Sequence, residues 1–170
     1  ANLTVSCANN VPPSNTSTVT ASDNCTAIPV VTFVGDVTVN QTCANRYTLQ
    51  RTYRATDACG NSATCAQTIS VFDSAPPSIT CPPNVTVNCI GNVPAINVNS
   101  VIKSDNCGGT VTVVHVSDQI SGTVCINRLT LTRTYRAIDA CGNSATCTQT
   151  ILVKDQTPPS ITCPANISVT

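Results

Sequence analysis

The sequence predicts an all-β chain of tandem, disulfide-bonded β-sandwich modules, and three observations carry that prediction. Cys7, Cys25, Cys43, Cys59, Cys65 and Cys81 recur as Cys89, Cys107, Cys125, Cys141, Cys147 and Cys163, each shifted by 82 residues. A period of that size is too long for a solenoid unit and fits a small autonomous domain. The apolar patterning is that of strands: Val30-Val31-Thr32-Phe33-Val34, Thr110 to Val116, Leu129-Thr130-Leu131 and Thr150-Ile151-Leu152-Val153 are β-branched or alternating runs, with no 3.6-residue period. Turn signals punctuate these runs at Pro12-Pro13, Gly60-Asn61, Pro76-Pro77, Gly108-Gly109, Gly142-Asn143 and Pro158-Pro159.

The repeat divides the chain into residues 1–75, a first module lacking its opening strand; 76–156, a complete second module; and 157–170, the opening strand of a next module. In the complete module, strands are expected at Ser78 to Cys81, Asn84 to Cys89, Ile96 to Ile102 and Thr110 to Val116. A long strand from Arg128 to Ile138 and a last one from Ala145 to Lys154 follow, with a short strand before the long one. Ala1 to Val5, Pro83 to Val87 and Ala165 to Val169 match one another, so both ends are expected to fall within the same element of a longer protein.

An even, regularly spaced set of cysteines points to disulfides and an oxidising compartment. Zinc is disfavoured, because there is no CxxC pair and only one histidine. Charged residues make up 9% of the chain, against roughly 25% in ordinary domains. The net charge is zero and glutamate is absent. Such a surface exerts no pull on nucleic acid or anionic lipid. It is also poorly protected against association, so it is expected to be covered by glycan, hidden in an assembly, or kept soluble by its many Thr, Ser and Asn. No apolar run reaches membrane-spanning length. No nucleophile–base pair, phosphate loop or histidine pair occurs, and no enzymatic activity is expected.

In the long strand, alternation places Leu129, Leu131, Arg133, Tyr135 and Ala137 on one face. Tyr53 and Tyr135 stand where immunoglobulin-like sandwiches carry a tyrosine that ties down a corner, so both are structural candidates. Arg51 and Arg133 fall in phase with the core. Either a bulge turns them outward or each pairs with an acid, Asp36 and Asp118 being the candidates. His115 stands opposite Phe33 in the repeat and reads as a space-filling residue.

Pro-Pro-Ser-Ile-Thr-Cys-Pro (Pro76 to Pro82, Pro158 to Pro164), Ser104 to Cys107 and Tyr135 to Cys147 resemble hyalin-repeat (HYR) modules over essentially the whole chain. More narrowly, they are similar to the HYR-like repeats of large surface and secreted proteins of Bacteroidota-type bacteria. The resemblance implies an immunoglobulin-like fold, an extracellular or bacterial cell-surface location, and a role in adhesion or surface architecture, with no catalytic residues to transfer.

In such a sandwich strand ends collect at two poles. Cys89 and Cys125 fall at one, and Cys81, Cys107, Cys141 and Cys147 at the other. The expected bridges are Cys7–Cys43, Cys25–Cys59, Cys89–Cys125, Cys107–Cys141 and Cys81–Cys147, with Cys65 and Cys163 pairing outside the segment. A hairpin bridge Cys141–Cys147, leaving Cys81–Cys107, is the competitor. Asp73, Asp105 and Asp139 converge on the module junction as a candidate calcium site, unless they cap turns; no cofactor is otherwise required. Candidate glycosylation sites are Asn2, Asn15, Asn24, Asn40, Asn84 and Asn166 in sequons, and Ser74 in Asp73-Ser74-Ala75. The expected function is a structural repeat of an extracellular fibre, stalk or giant surface adhesin. Its expected partners are further copies of the repeat and, in a secondary role, glycans. The alternatives are an adhesive carbohydrate- or surface-binding module and a strand-exchanged, pilus-like subunit.

Overall fold

The computed structural model describes residues 2–25 and 28–166. The first module holds β1 (Leu3–Val5), β2 (Val30–Cys43), β3 (Arg46–Thr56) and β4 (Ser62–Phe72). The second holds β5 (Ser78–Thr80), β6 (Val85–Val87), β7 (Ile102–Ser104), β8 (Thr112–Cys125), β9 (Arg128–Ile138) and β10 (Ser144–Lys154). Each module is built on a four-stranded sheet, in the orders β1-β4-β3-β2 and β6-β10-β9-β8, and β5 and β7 form a separate two-stranded sheet. The pairs β2–β3, β3–β4, β8–β9 and β9–β10 are antiparallel, while the short β1 and β6 run parallel to β4 and β10. The fold is all-β and of the immunoglobulin-like sandwich type.

Period-2 alternation along β9 buries Leu129, Leu131, Arg133, Tyr135 and Ala137 on one face. That face supports two apolar clusters. One joins Val101, Val111, Val113, Tyr135 and Ala137 to Ile79, Cys81, Val98 and Cys147. The other joins Leu129, Leu131, Ile151 and Val153 to Val85, Val87, Ile90 and Val93. The second layer is therefore part sheet (β5–β7) and part irregular chain running from β6 to β7.

Two expected strands differ. Ile96 to Ile102 holds the 3₁₀ turn Val98–Ser100 and is strand only at Ile102, because the Asn97 side chain accepts a hydrogen bond from the Asn99 amide and competes with a ladder. The expected strand from Thr110 to Val116 instead continues to Cys125 as β8 and absorbs the short strand expected after it. Register shifts at His115/Ser117 and Ser121/Cys125, with Gly122 at φ +62°, bend β8 without ending it. Residues 157–166, expected to open a next module, carry no strand, and residues 167–170 lie outside the described residues.

Candidate functional site: the junction between modules

The hairpin linking β3 to β4 shows how the sequence builds one side of the junction. Gly60 sits at φ +89°, and the Asp57 carboxylate accepts from the amides of Cys59 and Asn61 and from the Asn61 side chain. That Asn61 amide is the main reason the Asp57 carboxyl is held below its ordinary range. Asp139, Cys141, Gly142 and Asn143 repeat the same turn between β9 and β10. In the second module this turn is pressed against the first.

Two disulfides cross from module to module: Cys7–Cys107 and Cys43–Cys141, with Cα atoms 5.1 and 5.3 Å apart. A third, Cys81–Cys147, ties the segment after β5 to β10 within the second module. The expected bridges Cys7–Cys43, Cys25–Cys59, Cys89–Cys125 and Cys107–Cys141 are therefore not those of the molecule. Cys7 and Cys43 meet Cys107 and Cys141 of the adjoining module instead of one another, whereas Cys81 and Cys147 pair within their own module as expected. Cys25, Cys59, Cys65, Cys89, Cys125 and Cys163 are exposed and unbridged.

Polar contacts reinforce the crossing. One Arg46 guanidinium nitrogen donates to the Cys141 carbonyl (3.1 Å), and the other donates to the Asp73 carbonyl (2.7 Å) and the Asn143 side chain (3.3 Å). The same guanidinium lies 5.0 Å from the Phe72 ring centre. The Asn143 side-chain amide also donates to the Asp73 carbonyl. Asn45 receives the Ala8 amide on its side chain and the Asp73 amide on its carbonyl, locking the first module's exit. Arg46 and Asn45 recur as Arg128 and Asn127, a signal in the repeat that sequence reasoning did not turn into a role.

Of the three candidate calcium ligands, Asp73 and Asp105 come together and Asp139 does not join them. The Asp139 carboxylate is engaged in its own turn by the amides of Cys141 and Asn143 and the Asn143 side chain. The third member of the acidic cluster is the Cys107 sulfur, which is bonded to Cys7. Asp73 is 1% exposed, and one Asp105 carboxylate oxygen is buried without a hydrogen-bond partner.

The buried arginines have acidic partners. Arg51 and Arg133 each make a two-pronged contact, with Asp36 and Asp118 respectively, at 2.8–2.9 Å. Their remaining nitrogens donate to the carbonyls of Pro12 and Pro94. The Arg133 guanidinium is the chief cause that keeps the Asp118 carboxyl below its usual range, with His115 assisting against the opposing effect of burial. Both arginines are in turn pushed upward, first by the hydrogen bond each donates to its carboxylate partner. Tyr53 and Tyr135 are buried, and the Tyr53 hydroxyl accepts the Asn15 amide. His115 hydrogen-bonds Asp118 as well as meeting Tyr135 edge-on. Asn2, Asn15, Asn24, Asn40, Asn84, Asn166 and Ser74 are all exposed, though the Asn15 and Asn84 side chains accept backbone hydrogen bonds; Thr26 of the Asn24 sequon lies outside the described residues.

The first module also has an open cleft of about 690 Å³, lined by Pro12, Val19, Thr20, Tyr53, Cys65 and Ala66 among others. In the second module the equivalent position is covered by β5 and the Cys81–Cys147 bridge.

With this geometry in view, residues 77–153 match the family profile described as an HYR-like domain with 4 cysteines. The match covers nearly all of the second module, whose all-β sheet and Cys81–Cys147 bridge are similar to a disulfide-bonded HYR-like repeat. Among solved structures the chain is similar to protocadherin gamma B2 extracellular cadherin domains 1–5, at 15% identity and a TM-score of 0.35, over 76% of this chain and 33% of that one. The chain thus spans about a third of that structure's length. No curated protein matches the chain. Among the described residues no helix is long and apolar enough to cross a membrane.

Proposed function

We propose that the chain is a structural repeat of an extracellular fibre, stalk or large bacterial surface adhesin, in which modules are held at fixed orientation to give extended spacing. The observation that carries this reading is the pair of module-crossing disulfides. Each of the two bridges closes a loop of about 100 residues and taken singly adds roughly 4–5 kcal/mol in the chain-entropy picture; the loops overlap, so the two contributions do not simply sum. Two separate cross-links and the Arg46 contacts also suppress hinging about a single linker, whose Pro76-Pro77 already restricts the backbone. The low surface charge suits a surface covered by neighbours or by glycan at the exposed asparagines. The Asp73–Asp105 pair is an accessory position for one calcium ion, with backbone carbonyls completing its shell.

Small-angle scattering tests the reading: the oxidised chain is expected to scatter as one rigid rod, and Cys7→Ser/Cys43→Ser as a hinged pair. Identical profiles would overturn it. For the adhesive alternative, the half-exposed rings are Phe33 and Phe72, and both already meet an arginine. Specific retention on a glycan array would restore that alternative.

A further inference from the structure

The two ends of the molecule carry, separately, the two halves of a joint already closed at its centre. Shifting the three bridges Cys7–Cys107, Cys43–Cys141 and Cys81–Cys147 forward by one repeat places their first members at Cys89, Cys125 and Cys163. Shifting them back by one repeat places their second members at Cys25, Cys59 and Cys65. These six are the exposed, unbridged cysteines. We infer that the two sets are complementary faces: Cys89, Cys125 and Cys163 of one copy bond to Cys25, Cys59 and Cys65 of a second copy, whose first-module cleft receives the Pro158–Pro164 segment of the first.

Four further features fit a second copy as the occupant. Pro158–Pro164 repeats the Pro76–Pro82 sequence that occupies the same position in the second module, where Ser78, Ile79 and Thr80 pair with Ser104, Lys103 and Ile102. Ile79 packs on the Tyr135 cluster, whereas its counterpart Ile161 is 89% exposed. The cleft is lined by Val19 and Thr20, the counterparts of Val101 and Ile102, and by Cys65, the counterpart of Cys147. Arg128 repeats Arg46, and Cys59 and Asn61 repeat the Cys141 and Asn143 that Arg46 grips, so the polar fork is available as well.

The chemistry of the two faces also specifies the register. Around the internal joint, Cys43 is flanked by Thr42 and Ala44, and Thr110 and Thr112 lie just before and at the start of β8 in the second module. At the ends those positions are Val124 and Ile126 beside Cys125, and Ile28 and Val30 on the opposite face, all at least 67% exposed. The outer positions are thus apolar where the inner ones are small or polar. Burial of four large apolar side chains favours joining two-module units end to end over pairing either face with an internal one. The docked segment ends at Pro164, because Ala165-Asn166 repeats Ala1-Asn2 and β1 already fills the edge of β4 beyond them.

Closure is a thiol–disulfide exchange. One thiolate displaces a thiol from a small disulfide such as glutathione disulfide, and the facing thiolate then displaces the second. Per bridge two protein thiols lose two protons and two electrons, and one glutathione disulfide is reduced to two thiols.

This inference rests on the structural-repeat reading but fails independently of it. The 170-residue chain, incubated in a glutathione redox buffer, is run on a non-reducing gel and its disulfides are mapped by mass spectrometry. The expected result is a ladder that collapses on reduction and contains Cys25–Cys89, Cys59–Cys125 and Cys65–Cys163 between chains. Cys25→Ser/Cys59→Ser/Cys65→Ser and Cys89→Ser/Cys125→Ser/Cys163→Ser are expected to stay monomeric alone and to give only dimers when mixed. All six positions are exposed and unbridged, so these variants keep the internal joint. A peptide of residues 157–165 is expected to form a mixed disulfide with Cys65 in preference to the other thiols. Intrachain Cys25–Cys59 or Cys89–Cys125 bridges, scrambled links, or a ladder from either variant alone would overturn the inference. A correct ladder whose oligomers hinge freely in electron micrographs would leave the joint standing and sink the rigid-stalk reading.

Discussion

The two modules share one cysteine register and identical stretches such as Asp57 to Cys65 and Asp139 to Cys147, yet the second is closed and the first is open. Val101, Val113 and Ala137 are buried beneath β5 and β7, while their counterparts Val19, Val31 and Ala55 are only half-buried. Ile102–Ser104 is a strand because Ser78–Thr80 pairs with it; the equivalent Thr20–Ser22 has no such partner and is not a strand. Cys147 is bonded and its copy Cys65 is a bare thiol. One short strand thus decides core burial, a second strand and a disulfide together. Strand formation here is a consequence of pairing and burial, and intrinsic propensity has little to do with it.

The sharpest way to break the comparison is one substitution made twice. Cys147→Ser is expected to destabilise the second module by about 3–4 kcal/mol, since it opens a bridge spanning 66 residues. Cys65→Ser, at the same place in the first module, is expected to change stability by no more than about 0.5 kcal/mol, as surface substitutions do. Calorimetry of the two variants checks both; an equal effect would mean that the strand and its bridge are not what separates the modules.

Next in size are the buried arginines. Arg51→Ala and Arg133→Ala each remove one partner of a largely buried pair, and each is expected to cost about 3 kcal/mol. The loss is expected to be smaller at Arg133, because Asp118 keeps the His115 contact, whereas the residue at that position in the first module is Phe33, whose ring offers no hydrogen bond. Chemical denaturation resolves the difference, and a larger loss at Arg133 would contradict it.

A smaller effect is acid sensitivity. The native Asp118 carboxyl lies below its ordinary value, chiefly through Arg133, so its contribution is complete above the unfolded value of about 4. It is lost as pH falls from there through the depressed native value. His115→Phe, which writes the first module's residue into the second, is expected to move that loss to higher pH, with a cost near neutrality of about 1 kcal/mol. An unchanged acid profile would remove His115 from the pair.

The smallest expected effect is calcium. Millimolar calcium is expected to raise the melting temperature of the wild-type chain slightly and leave Asp105→Asn unmoved; an equal shift in both would place any bound ion elsewhere.

Much of this architecture was legible in the residues. The 82-residue recurrence divided the chain, alternation set β9 to the residue, and phase put Arg51 and Arg133 on the core face, where the alternatives were a bulge or an acidic partner. The merging of two strands into β8 was not legible, because bulges leave the local pattern intact. The module-crossing bridges were not legible either. A cysteine at a pole is equally close in sequence terms to a partner in its own module and to one facing it from the next.

The sequence by itself determined the β class, the repeat and the placing of Arg51 and Arg133 in phase with the core. These follow from periodicity, which acts locally or through near neighbours. Only the tertiary structure decided which cysteines meet and where the chain remains open. Those depend on how one module's face is set against the next, a relation between surfaces that no spacing along the chain records.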